Sequence, residues 1–195
     1  MMEELLSTIP FERLGHRANG FLCAAKHIST TLKKRDRVQI IETGTARIVD
    51  NWEGDGQSTL VWDKIAQLNQ NRVNVLSIDL NPEAIDAAWN QTHCVEYRGG
   101  DSLTALRSLD VKTLAETYLV YLDSMDWHES INLDSAFHAL SELAVIYHAL
   151  PSGCMVMVDD AHGPKAGKHW MVEMFFAKQQ ITPVRKHYQF CWIKP

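Results

Sequence analysis

Four apolar runs in this 195-residue chain lead into a carboxylate: Ile40-Ile41-Glu42, Leu76-Ser77-Ile78-Asp79, Tyr118-Leu119-Val120-Tyr121-Leu122-Asp123 and Met155-Val156-Met157-Val158-Asp159-Asp160. Short apolar runs of this kind read as buried strands. In an open α/β sheet the carboxyl ends of parallel strands lie along one edge, where ligands bind. Acids gathered on that edge can accept protons from ribose hydroxyls, hold a cationic group or ligate a metal. Glu42 continues into Thr43-Gly44-Thr45, a turn whose glycine allows close backbone approach to a ligand.

The acids need a frame, and the intervening segments supply one. Phe11, Leu14, Ala18, Leu22, Ala25 and Ile28 recur at helical spacing, so a helix is expected over 11–32 within an N-terminal helical segment, 1–36. Strands are expected at 38–42, 73–79, 94–97, 118–123 and 154–159. Ala46 to Gln57, rich in Asp, Asn and Gly, reads as an extended loop before a helix over 58–69. Asn81-Pro82 is a cap followed by a first-turn proline, opening a helix to about residue 90. A short helix is expected over 103–109. Leu133, Phe137, Leu140, Ala144, Tyr147 and Leu150 mark one face of a long helix. Another helix covers 168–179, with Met171, Met174, Phe175 and Phe176 read as core, and β-rich runs close the tail. Alternating strands and helices imply βαβ connections. The expected fold class is a Rossmann-like, doubly wound α/β sheet, mainly parallel with an antiparallel C-terminal strand and helices on both faces. One domain over 1–195 is expected.

Composition narrows the function. The net charge of −5 and the lack of a basic run beyond Lys33-Lys34-Arg35 argue against nucleic acid as partner. No apolar run is long enough to span a membrane, and Met1-Met2-Glu3-Glu4 does not open a secretory signal. The four cysteines form no CxxC pair; Cys154 and Cys191 lie in apolar runs and read as buried thiols. A cytoplasmic setting follows.

From Val38 to Ile193 the chain resembles the class I S-adenosylmethionine-dependent methyltransferases. The likeness rests on Glu42-Thr43-Gly44-Thr45, Asp79, Gly100-Asp101-Ser102, Asp123 and Pro151-Ser152-Gly153, in that order. Asp159-Asp160 with Asp123 resembles the small-molecule O-methyltransferases, of macrocin or catechol type, that bind a divalent metal. Two departures stand out. Ala46–Gln57 separates the glycine turn from its helix, and Ser124-Met125-Asp126-Trp127-His128-Glu129 matches neither branch cleanly.

The resemblance implies S-adenosylmethionine as cofactor and assigns roles. Asp79 would accept both ribose hydroxyls. Gly44 and Thr45 would approach the cofactor, and Glu42, Ser58 and Thr59 would meet its methionine end. Asp101 and Ser102 would lie along the adenine. Asp123 would contact cofactor and, with Asp159 and Asp160, ligate Mg²⁺ or another divalent cation. Asp126, His128 or His162 would take the acceptor's proton. Trp127 would wall the acceptor pocket, and Trp52 would close over cofactor or acceptor. The acceptor is expected to be a small-molecule hydroxyl, and a homodimer is compatible with the N-terminal helix. A nucleotide- or NAD-binding Rossmann protein is the alternative, weakened by the lack of GxGxxG after the first strand. A non-catalytic cofactor-binding scaffold is a further one.

Overall fold

Pairing of the apolar runs organises the molecule. The structure, a computed structural model, describes residues 2–69 and 72–195. Its strands are β1 (Val38–Thr43), β2 (Val73–Asp79), β3 (Val95–Gly99), β4 (Thr117–Leu122), β5 (Met155–Val158), β6 (Ala161–Gly163), β7 (Ala166–Gly167), β8 (Arg185–Lys186) and β9 (Phe190–Ile193). Seven form one sheet in the order β3-β2-β1-β4-β5-β9-β8. The first five are parallel; β9 is antiparallel to β5 and β8 to β9. The expected mixed sheet is therefore present. The β6–β7 hairpin lies apart and was not legible in so short a stretch.

Eight α-helices accompany the strands among the described residues: α1 (Met2–Thr8), α2 (Ala18–Thr31), α3 (Ser58–Leu68), α4 (Pro82–Trp89), α5 (Ser102–Arg107), α6 (Val111–Ala115), α7 (Asn132–Ile146) and α8 (His169–Lys178). The sheet buries both faces, as central parallel strands do. Ile40, Leu119, Tyr121 and Met157 pack with Phe21 and Ile28 of α2 and Val61, Trp62 and Ile65 of α3. Ile41, Val120, Leu122 and Val156 face the other way, against Leu143 and Ile146 of α7 and Val172 and Phe176 of α8. Cys154 and Cys191 are buried and free, as expected. No helix among the described residues is long and apolar enough to cross a membrane.

Four expectations need correction. The helix over 11–32 is two pieces: a 3₁₀ segment, Phe11–Arg17, and α2. The break falls at Gly15, whose φ of 52° is open to glycine and breaks the helical run. The packed face of α7 is Ala136, Ala139, Leu143 and Ile146; Leu133 and Phe137 are exposed. Apolar residues occur on both sides of this helix; of the expected set, Tyr147 and Leu150, just beyond its end, are buried. Trp52, expected over cofactor or acceptor, is instead buried in the core and donates from Nε1 to Asp50 Oδ1 at 2.9 Å. Among the residues read as core in α8, Phe176 is buried, whereas Met174 is exposed.

Candidate active site

Register brings the acids to one level. Thr43 lies beside Ile78 on one side and Leu122 on the other, and Leu122 beside Val158. The next residues of these strands, Gly44, Asp79, Asp123 and Asp159, therefore stand abreast at the carboxyl edge. Gly44 (φ 85°) is needed because a Cβ there would lie 2.4 Å from the Asp123 carbonyl oxygen. Its first constraint is the close approach of two strand ends.

A cavity of about 630 Å³ opens on this edge, and its walls include Gly44, Thr45, Ser58, Asp79, Asp123 and Asp160. A smaller one of about 260 Å³ shares Asp79, Leu80 and Ser124 with it and adds Asp101, Ser102 and His138. Asp79 stands at the junction. Its Oδ2 accepts from Thr45 N at 2.7 Å and its Oδ1 from Asn81 N at 2.7 Å. Asn81 in turn caps α4 through Glu83 N at 2.9 Å. Each Asp79 oxygen can accept a second hydrogen bond. Asp101 Oδ1 takes Thr104 N and Oγ1, at 2.8 and 2.7 Å, as the cap of α5. Ser102 Oγ lies 3.1 Å from His138 Nε2.

Glu42 and Thr59 lie beneath the cavity and do not line it. The sheet continues one residue past Glu42, so that side chain points into the layer between sheet and α3. Its oxygens accept from Thr59 Oγ1 at 2.7 Å, Ser77 Oγ at 2.6 Å and Trp62 Nε1 at 3.0 Å. Thr59 Oγ1 also accepts from Ala46 N at 2.9 Å, which fastens the inserted loop. Burial raises the Glu42 carboxyl from 4.5 to about 7 against the pull of these hydrogen bonds. The loop has its own anchor: Asp55 Oδ2 accepts from Arg47 N and Ile48 N, at 3.3 and 3.0 Å.

The three carboxylates expected to hold a metal are held by two side chains that sequence reasoning missed. Arg17 donates from Nε to Asp159 Oδ2 at 2.7 Å and from Nη2 to Asp160 Oδ1 at 3.2 Å. Lys168 Nζ pairs with Asp123 Oδ1 and, at 3.0 Å, with Asp160 Oδ2. Tyr188 Oη donates to Asp160 Oδ1 at 2.7 Å. Burial works against ionised Asp160, but Lys168, the Tyr188 hydroxyl and Arg17 bring its carboxyl down to about 2. Among the described residues no group of three or more His, Cys, Asp or Glu is arranged to hold a metal ion. Glu142, another residue not anticipated, is buried below the smaller cavity and accepts from Ser124 Oγ at 2.6 Å and Thr43 Oγ1 at 3.1 Å. It also lies 3.3 Å from His138 and raises that imidazole's pKa. Arg17 and Glu142 carried no local signal, because their partners are distant in sequence.

The candidate bases separate clearly. Asp126 and His162 line the larger cavity. Asp126 Oδ2 is held by Arg47 Nη1 at 2.7 Å, and the His162 ring stacks on Trp127 with centroids 3.9 Å apart. His128 lines neither cavity. It is exposed and caps a 3₁₀ turn, its Nδ1 accepting from Ser130 N at 3.2 Å. A cap at that position explains its presence without chemistry.

No protein-family model and no curated protein matches the sequence. Solved structures do match its shape. The O-methyltransferase NovP aligns with TM-score 0.66 at 12% identity, over 91% of this chain and 80% of NovP. CalS11, a TDP-rhamnose 3'-O-methyltransferase of calicheamicin biosynthesis, aligns with TM-score 0.63 at 16% identity, over 98% of this chain and 86% of CalS11. MycE of the mycinamycin biosynthetic pathway, in complex with Mg, SAH and mycinamycin VI, aligns with TM-score 0.56 at 12% identity. That match covers all of this chain but 48% of MycE. The chain thus shares the Rossmann-like fold of these structures.

Proposed function

We propose that residues 1–195 act as one domain that transfers a methyl group from S-adenosylmethionine to a hydroxyl of a small-molecule acceptor. The observation that carries this reading is Asp79, fixed by two backbone N–H groups where the two cavities meet. Its remaining acceptor sites suit a vicinal diol, and the cavities on either side suit the two ends of a nucleoside-linked amino acid. The known folds that resemble this one, NovP, CalS11 and MycE, bear methyltransferase names and support it.

When bound, S-adenosylmethionine supplies a methyl group on a sulfonium cation. Asp79 holds the ribose. Asp101 and Ser102 bound the adenine end, with His138 set by Glu142 behind them. Ser58 and the first turn of α3 face the methionine carboxylate, while Glu42 and Thr59 keep that turn in place from below. Thr45 and Asp123 complete the wall. Alignment of donor and acceptor supplies most of the acceleration. His162 accepts the acceptor's proton; Asp126 is held in an ion pair with Arg47. A cytoplasmic homodimer belongs to the same reading, supported by the free thiols and by exposed Leu133 and Phe137 on α7.

Metal assistance is the finer form of this reading, and the MycE structure holds Mg. The donor set here does not suit it. A divalent ion needs carboxylate oxygens at about 2.0–2.6 Å; both oxygens of Asp160 and one each of Asp123 and Asp159 are already paired with Arg17 or Lys168, and Asp159 Oδ1 is a buried oxygen left without a partner.

Calorimetry tests the cofactor: S-adenosylmethionine should bind and NAD should not, and the opposite result refutes the reading. A panel of hydroxyl acceptors then tests transfer. His162→Ala should lower turnover about tenfold or more with cofactor affinity unchanged. His128→Ala should leave turnover within about twofold, as expected for an exposed cap. Equal losses in both would remove His162 as the base.

A further inference from the structure

We propose that Lys168 is the resident cation of the strand-end carboxylate cluster, occupying the position between Asp123 and Asp160 that a divalent ion would otherwise need. Its side chain is 2% exposed. Its three ammonium protons meet three acceptors: Asp123 Oδ1, Asp160 Oδ2 at 3.0 Å and the Asp123 carbonyl at 3.4 Å. An ammonium with all its donors used is a fixed charge, a tie between the ends of β4 and β5, and has no role as a proton acceptor. Lys168 is therefore a positioning residue.

The backbone is built to deliver it. Gly167 takes a φ of 111°, and a Cβ there would lie 1.9 Å from the Asp160 carbonyl oxygen. Gly167 N donates to Asn132 Oδ1 at 2.8 Å, and Lys168 N to the Asp160 carbonyl at 3.2 Å. Asn132 Oδ1 also receives Trp127 Nε1 at 2.7 Å, so the wall of the larger cavity and the lysine share one anchor. Arg17 supplies the second cation, its guanidinium stacked 4.8 Å from the Tyr188 ring centroid. The two cations thus sit among the three strand-end carboxylates, next to the cavity proposed for a sulfonium cofactor. Moving the lysine out to admit a metal would break a buried ion pair.

Mn²⁺ binding measured by electron paramagnetic resonance, with no cofactor or acceptor present, tests this. The readout does not depend on methyl transfer, so its failure is distinct from failure of S-adenosylmethionine binding in calorimetry. The native protein should bind no Mn²⁺ up to about 1 mM. Lys168→Ala opens the position between Asp123 and Asp160 and should bind Mn²⁺ about tenfold tighter or more. Adding Asp123→Asn to Lys168→Ala should remove that gain. Circular dichroism checks the fold of the variants, and Lys168→Ser serves if the alanine variant does not fold. Stoichiometric Mn²⁺ binding by the native protein below about 0.1 mM overturns the proposal whatever the variants do. So does a folded Lys168 variant that binds no tighter than the native protein.

Discussion

Replacing Asp79 with alanine is expected to weaken S-adenosylmethionine binding about 100-fold. A hydrogen bond to a charged group contributes about 1.5–3 kcal/mol, and Asp79 has an acceptor site free on each oxygen for a ribose diol. Loss of the pair amounts to about 3 kcal/mol, which is about two decades in affinity. Asp79→Asn keeps the shape and one acceptor oxygen, so its loss should fall near tenfold. Because Asp79 also fixes Thr45 N and Asn81 N, alanine loosens the turn after β1 and the cap of α4. A thermal melt separates that effect from direct contact. Calorimetry showing equal affinity in native protein and Asp79→Ala, with both folded, would sink the ribose assignment.

Much of the frame behind this prediction was legible in the sequence, for a physical reason. Parallel strands buried on both faces appear as unbroken apolar runs, and β2 falls on Val73–Asp79 as expected. The Asn81-Pro82 cap is encoded within three residues and could be read locally. What could not be read depends on partners far apart in the chain. Arg17 meets Asp159 across 142 positions, and nothing near Arg17 marks it as a buried cation. Lys168 stands beside Gly167, but its carboxylate partner Asp123 lies 45 positions back. Three acids on one edge demand positive charge; the sequence reading put a metal ion there, and the chain places Arg17 and Lys168 beside them. The side chain of Glu42 was misplaced for a simpler reason. One further strand residue, Thr43, moves Glu42 from the strand tip onto a face of the sheet, and alternation then turns it away from the edge.

That displacement gives Glu42 a measurable effect on stability. Its carboxyl is fully buried and its pKa is raised from 4.5 to about 7, burial being the largest cause and the hydrogen bonds from Ser58, Ser77, Thr59 and Trp62 opposing it. A raised carboxyl pKa means that the folded state holds its proton more tightly than the unfolded state does. Its contribution to stability is therefore fully present below about pH 4.5 and is lost as pH rises through about 7. At about 1.4 kcal/mol per pH unit, the loss across that window is on the order of 3 kcal/mol. Glu42→Gln cannot ionise and should lack this slope. The amide brings its own penalty, since its NH₂ must face a donor among Thr59, Ser77 and Trp62, but that penalty does not vary with pH. Urea unfolding at about pH 5 and about pH 8 should show the stability difference moving toward the variant by about 3 kcal/mol. Parallel stabilities at the two pH values would mean that the hydrogen bonds offset the burial of the charge, leaving Glu42 ionised throughout as a fixed acceptor for α3.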